Sequence, residues 1–444
     1  MIANLFSMCL GVLVGTVVGI IPAIGLTVSM VLLFPLLQFL EVEQILVFYI
    51  SLAAMVQYTG SIPSVFFGIP GETNSIPAAV EGPKLTRHGM SRLAISSCAL
   101  GSVNGSIIGM FLTLGVLVFV LPYIVLFFNN DVKFFVFLFV ILFCLFVYNK
   151  KNIKMNLLLM ALGFLFTLPG ESSISTNYRF TGGIESLKYG FPLFPLLAGV
   201  LVTPALIRSY NSKLSVNTIK SSEKIGILKS IEYFKRCIPS NVRGSIIGYF
   251  CGLVPGISTV LSTNVSYTVE KKINPLYPGR QLVSSETANN SGQLASLLPL
   301  LLLGVPITGS EVILYGILTD RGWNIPTITD VNFVFDIFKN LTPWFVLVNI
   351  CGLVISWPLA KYLAKRIFLN YNLIIKIILG ILVLINLYVG WSLNQFWLYQ
   401  ISLLFFLTVG YLLKRYNTVP LIFLFIMGSE LEQVIYRKLL LLQI

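Results

Sequence analysis

The sequence predicts an all-α polytopic membrane protein built from two inverted-topology repeats with broken or re-entrant helical hairpins. Three observations carry that prediction. The first is composition: 56% of the 444 residues are apolar, 11% are charged and the mean hydropathy is +0.88, where soluble chains carry about 25% charged residues. The second is the interruption of apolar stretches by Gly and Pro with polar residues directly behind. Gly60–Ser75 reads G-S-I-P-S-V-F-F-G-I-P-G-E-T-N-S. Gly and Pro stop a helix, and the freed backbone groups survive in a bilayer only when protein or a polar cavity surrounds them. The third is repetition. Gln57, Pro63, Gly68 and Pro70 fall on Gln293, Pro299, Gly304 and Pro306 at a constant offset of 236 positions. Gly11, Gly15, Gly19 and Pro22 fall on Gly244, Gly248, Gly252 and Pro255 at an offset of 233.

Each predicted element follows from these signals. Leu5–Leu40 carries a glycine stripe at i, i+4 and i+8, which lets another helix approach closely, and then breaks at Pro22 and Gly25. Ile45–Pro70 runs into the first broken motif, and Glu81–Arg92 reads as a short basic loop. Apolar segments follow at Ala94–Leu121, Val132–Tyr148, Met155–Leu168 and Phe191–Ile207. Their counterparts are Leu341–Ala360, Ile374–Gly390, Phe396–Leu413 and Val419–Gly428. At ~1.5 Å per residue several fall short of a ~30 Å hydrocarbon core, so tilted or partial spans are expected. The division is a first membrane repeat at 1–208, a basic linker at 209–235 and a second, inverted repeat at 236–444.

Charge sets the orientation. Basic residues concentrate at Lys150–Lys154, Arg208–Arg243, Lys271–Arg280, Lys361–Arg366 and Lys414–Arg415. The turns between them, Glu41–Glu43, Asn129–Lys133, Glu171–Lys188, Asp320–Lys339 and Trp391–Asn394, are poor in basic residues. The positive-inside rule puts the basic set in the cytoplasm. Ala94–Leu121 then runs outward and its counterpart Leu341–Ala360 runs inward, so the repeats are opposed. Arg437-Lys438 is the discordant pair, external in this scheme. The net charge of +13 is accounted for by these loops and not by a nucleic-acid patch. The first basic residue is Lys84, so a cleaved signal peptide is not expected and the first apolar stretch stays in the protein.

Polar residues at the breaks are the candidate site. Substrate contacts are expected from Pro22, Gly25, Thr27, Ser61, Gly71, Thr73 and Asn74 in the first repeat, and from Pro255, Gly256, Ser258 and Thr259 in the second. Helix N-termini there offer free N–H groups and a positive dipole end to an anion. The hydroxyls can equally bond back to their own helices. Glu286, Asn289 and Asn290 share a helix face at i, i+3 and i, i+4 and are candidates to bind a coupling cation. The competing reading is an exposed helix start capped by Ser284. Glu72 reads as a cation contact or a cap, and Glu311 and Arg321 as interfacial charges.

Other classes find little support. The single histidine, His88, leaves no base for a Ser or Cys nucleophile, and no Walker loop is present. Enzymatic chemistry, a resident metal and an organic cofactor are therefore not expected, beyond a transported Na⁺ or H⁺. The six cysteines are scattered without C-x-x-C spacing, which disfavours a disulfide framework or a zinc site. A passive channel, or a carrier of another small solute, is the alternative reading.

Several motifs in order resemble the large membrane subunit of the tripartite tricarboxylate transporters. Gly15–Ala23 and Gly248–Gly256 are similar to that family's two G-x-x-x-G-x-x-P-G elements. Gly68–Glu72 with Glu81–Gly89, Arg179–Gly190, Glu286–Ser291 with Leu303–Pro306, and Pro420–Glu432 match further family segments. The chain departs from the pattern at Pro22-Ala23, Thr59-Gly60 and Val305-Pro306-Ile307. The resemblance implies cation-driven import of a carboxylate across the bacterial inner membrane. It further implies a small membrane subunit and a periplasmic solute-binding protein as partners.

Overall fold

A computed structural model describes the chain except residues 22–24, 124–129, 150–151, 173, 176, 212–226, 256–257, 324–330, 370 and 443–444. The first half contains α1 (Ile2–Ile20), α2 (Gly25–Leu37), α3 (Val42–Phe67), α4 (Ile76–Arg87), α5 (Ser91–Gly115), α6 (Asn130–Val147), α7 (Ile153–Thr167), α8 (Leu193–Leu197) and α9 (Thr203–Asn211). The linker helix α10 (Ile227–Arg236) leads to α11 (Ile238–Gly252), α12 (Ser258–Ile273), α13 (Pro278–Leu303) and α14 (Gly309–Asp320). The chain continues through α15 (Val331–Leu369), α16 (Tyr371–Ser392), α17 (Phe396–Leu412) and α18 (Val419–Leu442). Two π turns widen the chain, Val116–Val120 after α5 and Ala198–Val202 between α8 and α9.

Glycine decides the first packing step in both halves. The α1 stripe lies on α3, where a Cβ at Gly15 would stand 2.6 Å from Met55 Cβ. The α11 stripe lies on α13 in the same way, with Gly252 against Gly292. Small residues at such a crossing let the backbones approach and gain dispersion contact.

The broken elements repeat in detail. Helices α3 and α13 are both 26 residues long, with Pro63 and Pro299 at the same place inside them. Proline removes an intrahelical bond near the end, and a glycine in the left-handed region closes each helix, Gly68 at φ 68° and Gly304 at φ 65°. That conformation is open to Gly and costly for residues with a Cβ. A 12-residue helix follows each break, α4 and α14. Both are preceded by a capping box, Glu72 with Ser75 and Thr308 with Glu311.

Three expectations need correction. Glu81–Arg92 is not a basic loop: α4 continues to Arg87 and the turn comes at His88–Met90. Pro77 starts the helix where its missing N–H is harmless. Lys84 Nζ meets Glu81 at 2.8 Å one turn along. Glu311 is not interfacial; it is 0% exposed. The turn after α7 carries a two-stranded ribbon, Gly170–Glu171 paired antiparallel with Tyr178–Arg179, that an all-helical reading omitted. Arg179 fastens this ribbon to α18 through both oxygens of Glu432, at 2.5 and 2.9 Å.

Two packed groups result. Helices α1, α3, α4, α5, α11, α12, α13 and α15 form the first, with α3 buried along its apolar length. Helices α6–α9 and α16–α18 form the second. Helices α2 and α14 lie against each other and join the groups, α2 reaching α8 through Phe34 and Phe194, whose ring centroids are 6.3 Å apart, and α14 reaching α18. Among the described residues five helices are long and apolar enough to cross a membrane: Ile2–Ile20, Val42–Phe67, Ser91–Tyr123, Val334–Ser356 and Ile375–Ser392. Large apolar side chains such as Phe111, Phe119, Leu384 and Trp397 point outward, as a lipid-facing surface requires.

Candidate functional site

A cavity of about 720 Å³ lies where the broken elements meet the second group. Its walls include the first turn of α2 (Gly25–Val28), the Gly71–Asn74 segment before α4, the first turn of α12 (Ser258–Val260), and Thr308–Ser310 at the start of α14. Four helix beginnings, two from each half, therefore border one polar space. The second group contributes Leu201 and Ala205, with Tyr148, Asn149 and the Arg415–Val419 turn.

The predicted residues separate clearly. Gly25, Thr27, Gly71, Asn74, Ser258 and Thr259 all line this cavity. Ser258 Oγ is buried and unpaired among the described residues. Ser61 does not reach the cavity; its hydroxyl donates to Tyr58 O at 2.8 Å, the back-bonded alternative. Pro255 is buried in the turn after α11 and is not part of the wall. Pro22 and Gly256 lie outside the described residues, as does the side chain of Thr73.

The beginnings of α2 and α4 are already occupied by a carboxylate. Glu72 accepts from Leu26 N and, at 3.2 Å, from Asn74 Nδ2. The cap reading of Glu72 holds, and the cap also bridges to α2. In the second half Glu311 turns away from the cavity and takes Ile307 N and Thr308 N, each at 3.0 Å, and Ser296 Oγ at 2.5 Å. The first turn of α12 thus keeps polar groups facing the cavity, and Arg415 is the one cation among the described lining residues. Positive charge and helix-start N–H groups around one cavity suit a carboxylate.

The second predicted cluster stands behind the wall. Asn289 Oδ1 accepts from Asn74 Nδ2 at 3.1 Å, so it supports a lining residue from the rear. Glu286 is 3% exposed, in the ninth position of α13, and its Oε2 has no partner among the described residues. The alternative of an exposed helix start capped by Ser284 is excluded by that burial, and Ser284 Oγ pairs with Ser266 Oγ at 2.7 Å instead. Asn290 Nδ2 donates to Glu286 O at 3.1 Å.

Sequence reasoning missed Arg415, Asn149, Thr308, Ser310 and Asn417. Arg415 was counted only for orientation. Asn149 and Asn417 exchange bonds at 2.9 and 3.2 Å, tying the α6–α7 turn to the α17–α18 turn at the cavity edge. Thr418 Oγ1 donates to Val200 O at 2.8 Å, satisfying a carbonyl within the π turn. The T-x-x-E spacing of Thr308 and Glu311 was a readable helix-start signal.

Helices that break in mid-protein around a polar cavity define a multi-pass membrane transport protein. The chain belongs to the tripartite tricarboxylate transporter TctA family, whose model matches residues 5–425. A relative from Agrobacterium vitis, described as an uncharacterized 52.8 kDa protein in the TAR-I ttuC' 3' region, is 25% identical over 98% of this chain and 87% of its own length. An uncharacterized protein of Methanocaldococcus jannaschii is 25% identical over 69% of this chain and 71% of its own. No solved structure matches the chain significantly.

Proposed function

We propose that this chain is the permease subunit of a binding-protein-dependent tripartite system, carrying out secondary-active, cation-coupled uptake of a tricarboxylate-like anion across the bacterial inner membrane. The observation that supports this most is the single cavity bordered by four helix beginnings from both halves and faced by Arg415. The substrate carboxylates bind between Ser258–Thr259 and Arg415, and Glu286 with Asn289 and Asn290 serves the coupling ion. A small membrane subunit and a periplasmic solute-binding protein complete the assembly.

The conformation fits an inward-facing state. The turns bordering the cavity, at Asn149 and Arg415, belong to the basic set that the positive-inside rule assigns to the cytoplasm. Helices α2 and α14 seal the far side against the second group, while α4 and α12 pack within the first. In opposed repeats α2 and α12 are counterparts, as are α4 and α14. The outward state follows by exchanging their roles, which is alternating access.

Counterflow in liposomes with mono-, di- and tricarboxylates tests the reading. Labelled di- or tricarboxylate should exchange, and Arg415→Gln should raise the half-saturating concentration about tenfold, the scale of one charge-assisted contact. Flux that ignores collapse of the ion gradients would favour the passive channel instead. Exchange of none of these anions by the reconstituted wild type would sink the proposal.

A further inference from the structure

We propose that a second, smaller cavity between the two halves binds one monovalent cation of sodium size. This rests on the transport reading and adds the ion class and a seat that shares Asn290 with the Glu286 cluster named above. The cavity measures about 20 Å³, enough for one water-sized occupant. Its polar lining is Tyr49 and Gln57 from α3, Ser106 from α5, and Asn290 and Gln293 from α13. Gln57 and Gln293 are the repeat counterparts noted at the offset of 236, so the duplicated glutamine meets itself here.

The orientation of the amides points to a cation. Asn290 spends its Nδ2 on Glu286 O at 3.1 Å, leaving Oδ1 as the available group. Gln293 Nε2 is directed at Tyr49 Oη, 3.5 Å away, which likewise leaves Oε1. Gln57 is only 6% exposed, and the group it can offer a cation is Oε1; its Nε2, a donor without a partner among the described residues, contributes nothing to binding one. With the Ser106 and Tyr49 hydroxyls, the lining is rich in oxygen. Among the described residues no carboxylate lines the space, which disfavours Ca²⁺ and Mg²⁺, cations that ordinarily recruit acidic oxygens. The remaining wall is apolar, including Ile50, Leu297 and Phe345, and a low-dielectric surround strengthens ion–dipole attraction. Gln293 also lines the large cavity, so an ion seated here is one side chain from the substrate. Glu286, the carboxylate singled out from sequence, is one helical turn away and does not line this cavity.

The test is thermal unfolding of the purified full chain in NaCl, KCl or choline chloride at equal ionic strength. A ligand that binds the native state raises the midpoint in a saturable way. The expected result is a rise specific to Na⁺, at least tenfold weaker in sodium affinity for Gln57→Leu and Gln293→Leu, and kept by Gln57→Glu. If either leucine variant aggregates, Ser106→Ala is measured, with a smaller weakening expected. A Na⁺-specific rise that survives unchanged in these variants, or no alkali cation exceeding choline, overturns the site and leaves a water there. Carboxylate counterflow that persists in either case leaves the transport reading standing, so the two failures are separable.

Discussion

The two capping boxes use one geometry with its chemistry reversed. In the first half the carboxylate comes first, at Glu72, and the hydroxyl third, at Ser75; in the second the hydroxyl comes first, at Thr308, and the carboxylate third, at Glu311. The exchange changes what each acid does. Glu72 stays at the cavity wall, half-buried, and reaches Leu26 on another helix. Glu311 is enclosed and bonded to three groups around its own break. The two halves therefore share the backbone break, while one acid joins elements and the other holds a turn. A different contrast appears in packing, where α2 and α14, one from each half, lie against the second group while α4 and α12 pack against the first.

The largest effect should come from freezing the contact that distinguishes α2 from its counterpart. In a cysteine-free background, Phe34→Cys with Phe194→Cys bridged by a short thiol cross-linker should lower uptake by about tenfold or more, with recovery when a cleavable linker is cut. Unchanged uptake after complete cross-linking would mean that this seal does not open. Next in size is the carboxylate comparison. Glu311→Gln replaces an acceptor facing two N–H groups and should cost about 3 kcal/mol of stability. Glu72→Gln should cost about 1 kcal/mol, because that side chain is more exposed. Thermal unfolding in detergent reads both, and equal losses would erase the proposed division of labour. An effect as small as that of Glu72→Gln is expected of Thr418→Val, which removes one hydrogen bond to Val200 O and should cost about 1 kcal/mol by the same measurement.

What could be read from the residues alone follows the same physical line. Glycine stripes, the Pro–Gly breaks and their constant offsets are local and steric, so α1, α3, α11 and α13 and the breaks that end them were visible, while the start of α13 at Pro278 was not. Six of the lining residues, Gly25, Thr27, Gly71, Asn74, Ser258 and Thr259, were found by that route. Ser61 failed because a hydroxyl inside a helix can satisfy itself on a carbonyl three residues back, and sequence does not show which bond wins. Glu311 was misplaced because an acid beside an apolar run looks superficial until its partners at 307 and 308 fold back onto it. Arg415 and Asn149 come from the second group, distant in sequence from the breaks. Only tertiary packing brings them to the cavity, and no spacing rule encodes it. The ribbon at Gly170–Arg179 is held by an ion pair to Glu432, 253 positions away, which is equally silent in a local reading.

The π turn at Ala198–Val202 carries an indel signature. One surplus residue sits in that coil, and deleting Gly199 would let it relax to ordinary winding. Each residue of an α-helix turns the chain by about 100°, but a π turn takes up its extra residue within about one revolution, so Thr203 onward would keep its phase and Ala205 its place on the cavity wall. The same loss in the regular winding of α8 would rotate everything after it by about 100° and misalign the whole face: the wide turn is the point where this wall can tolerate a single-codon loss.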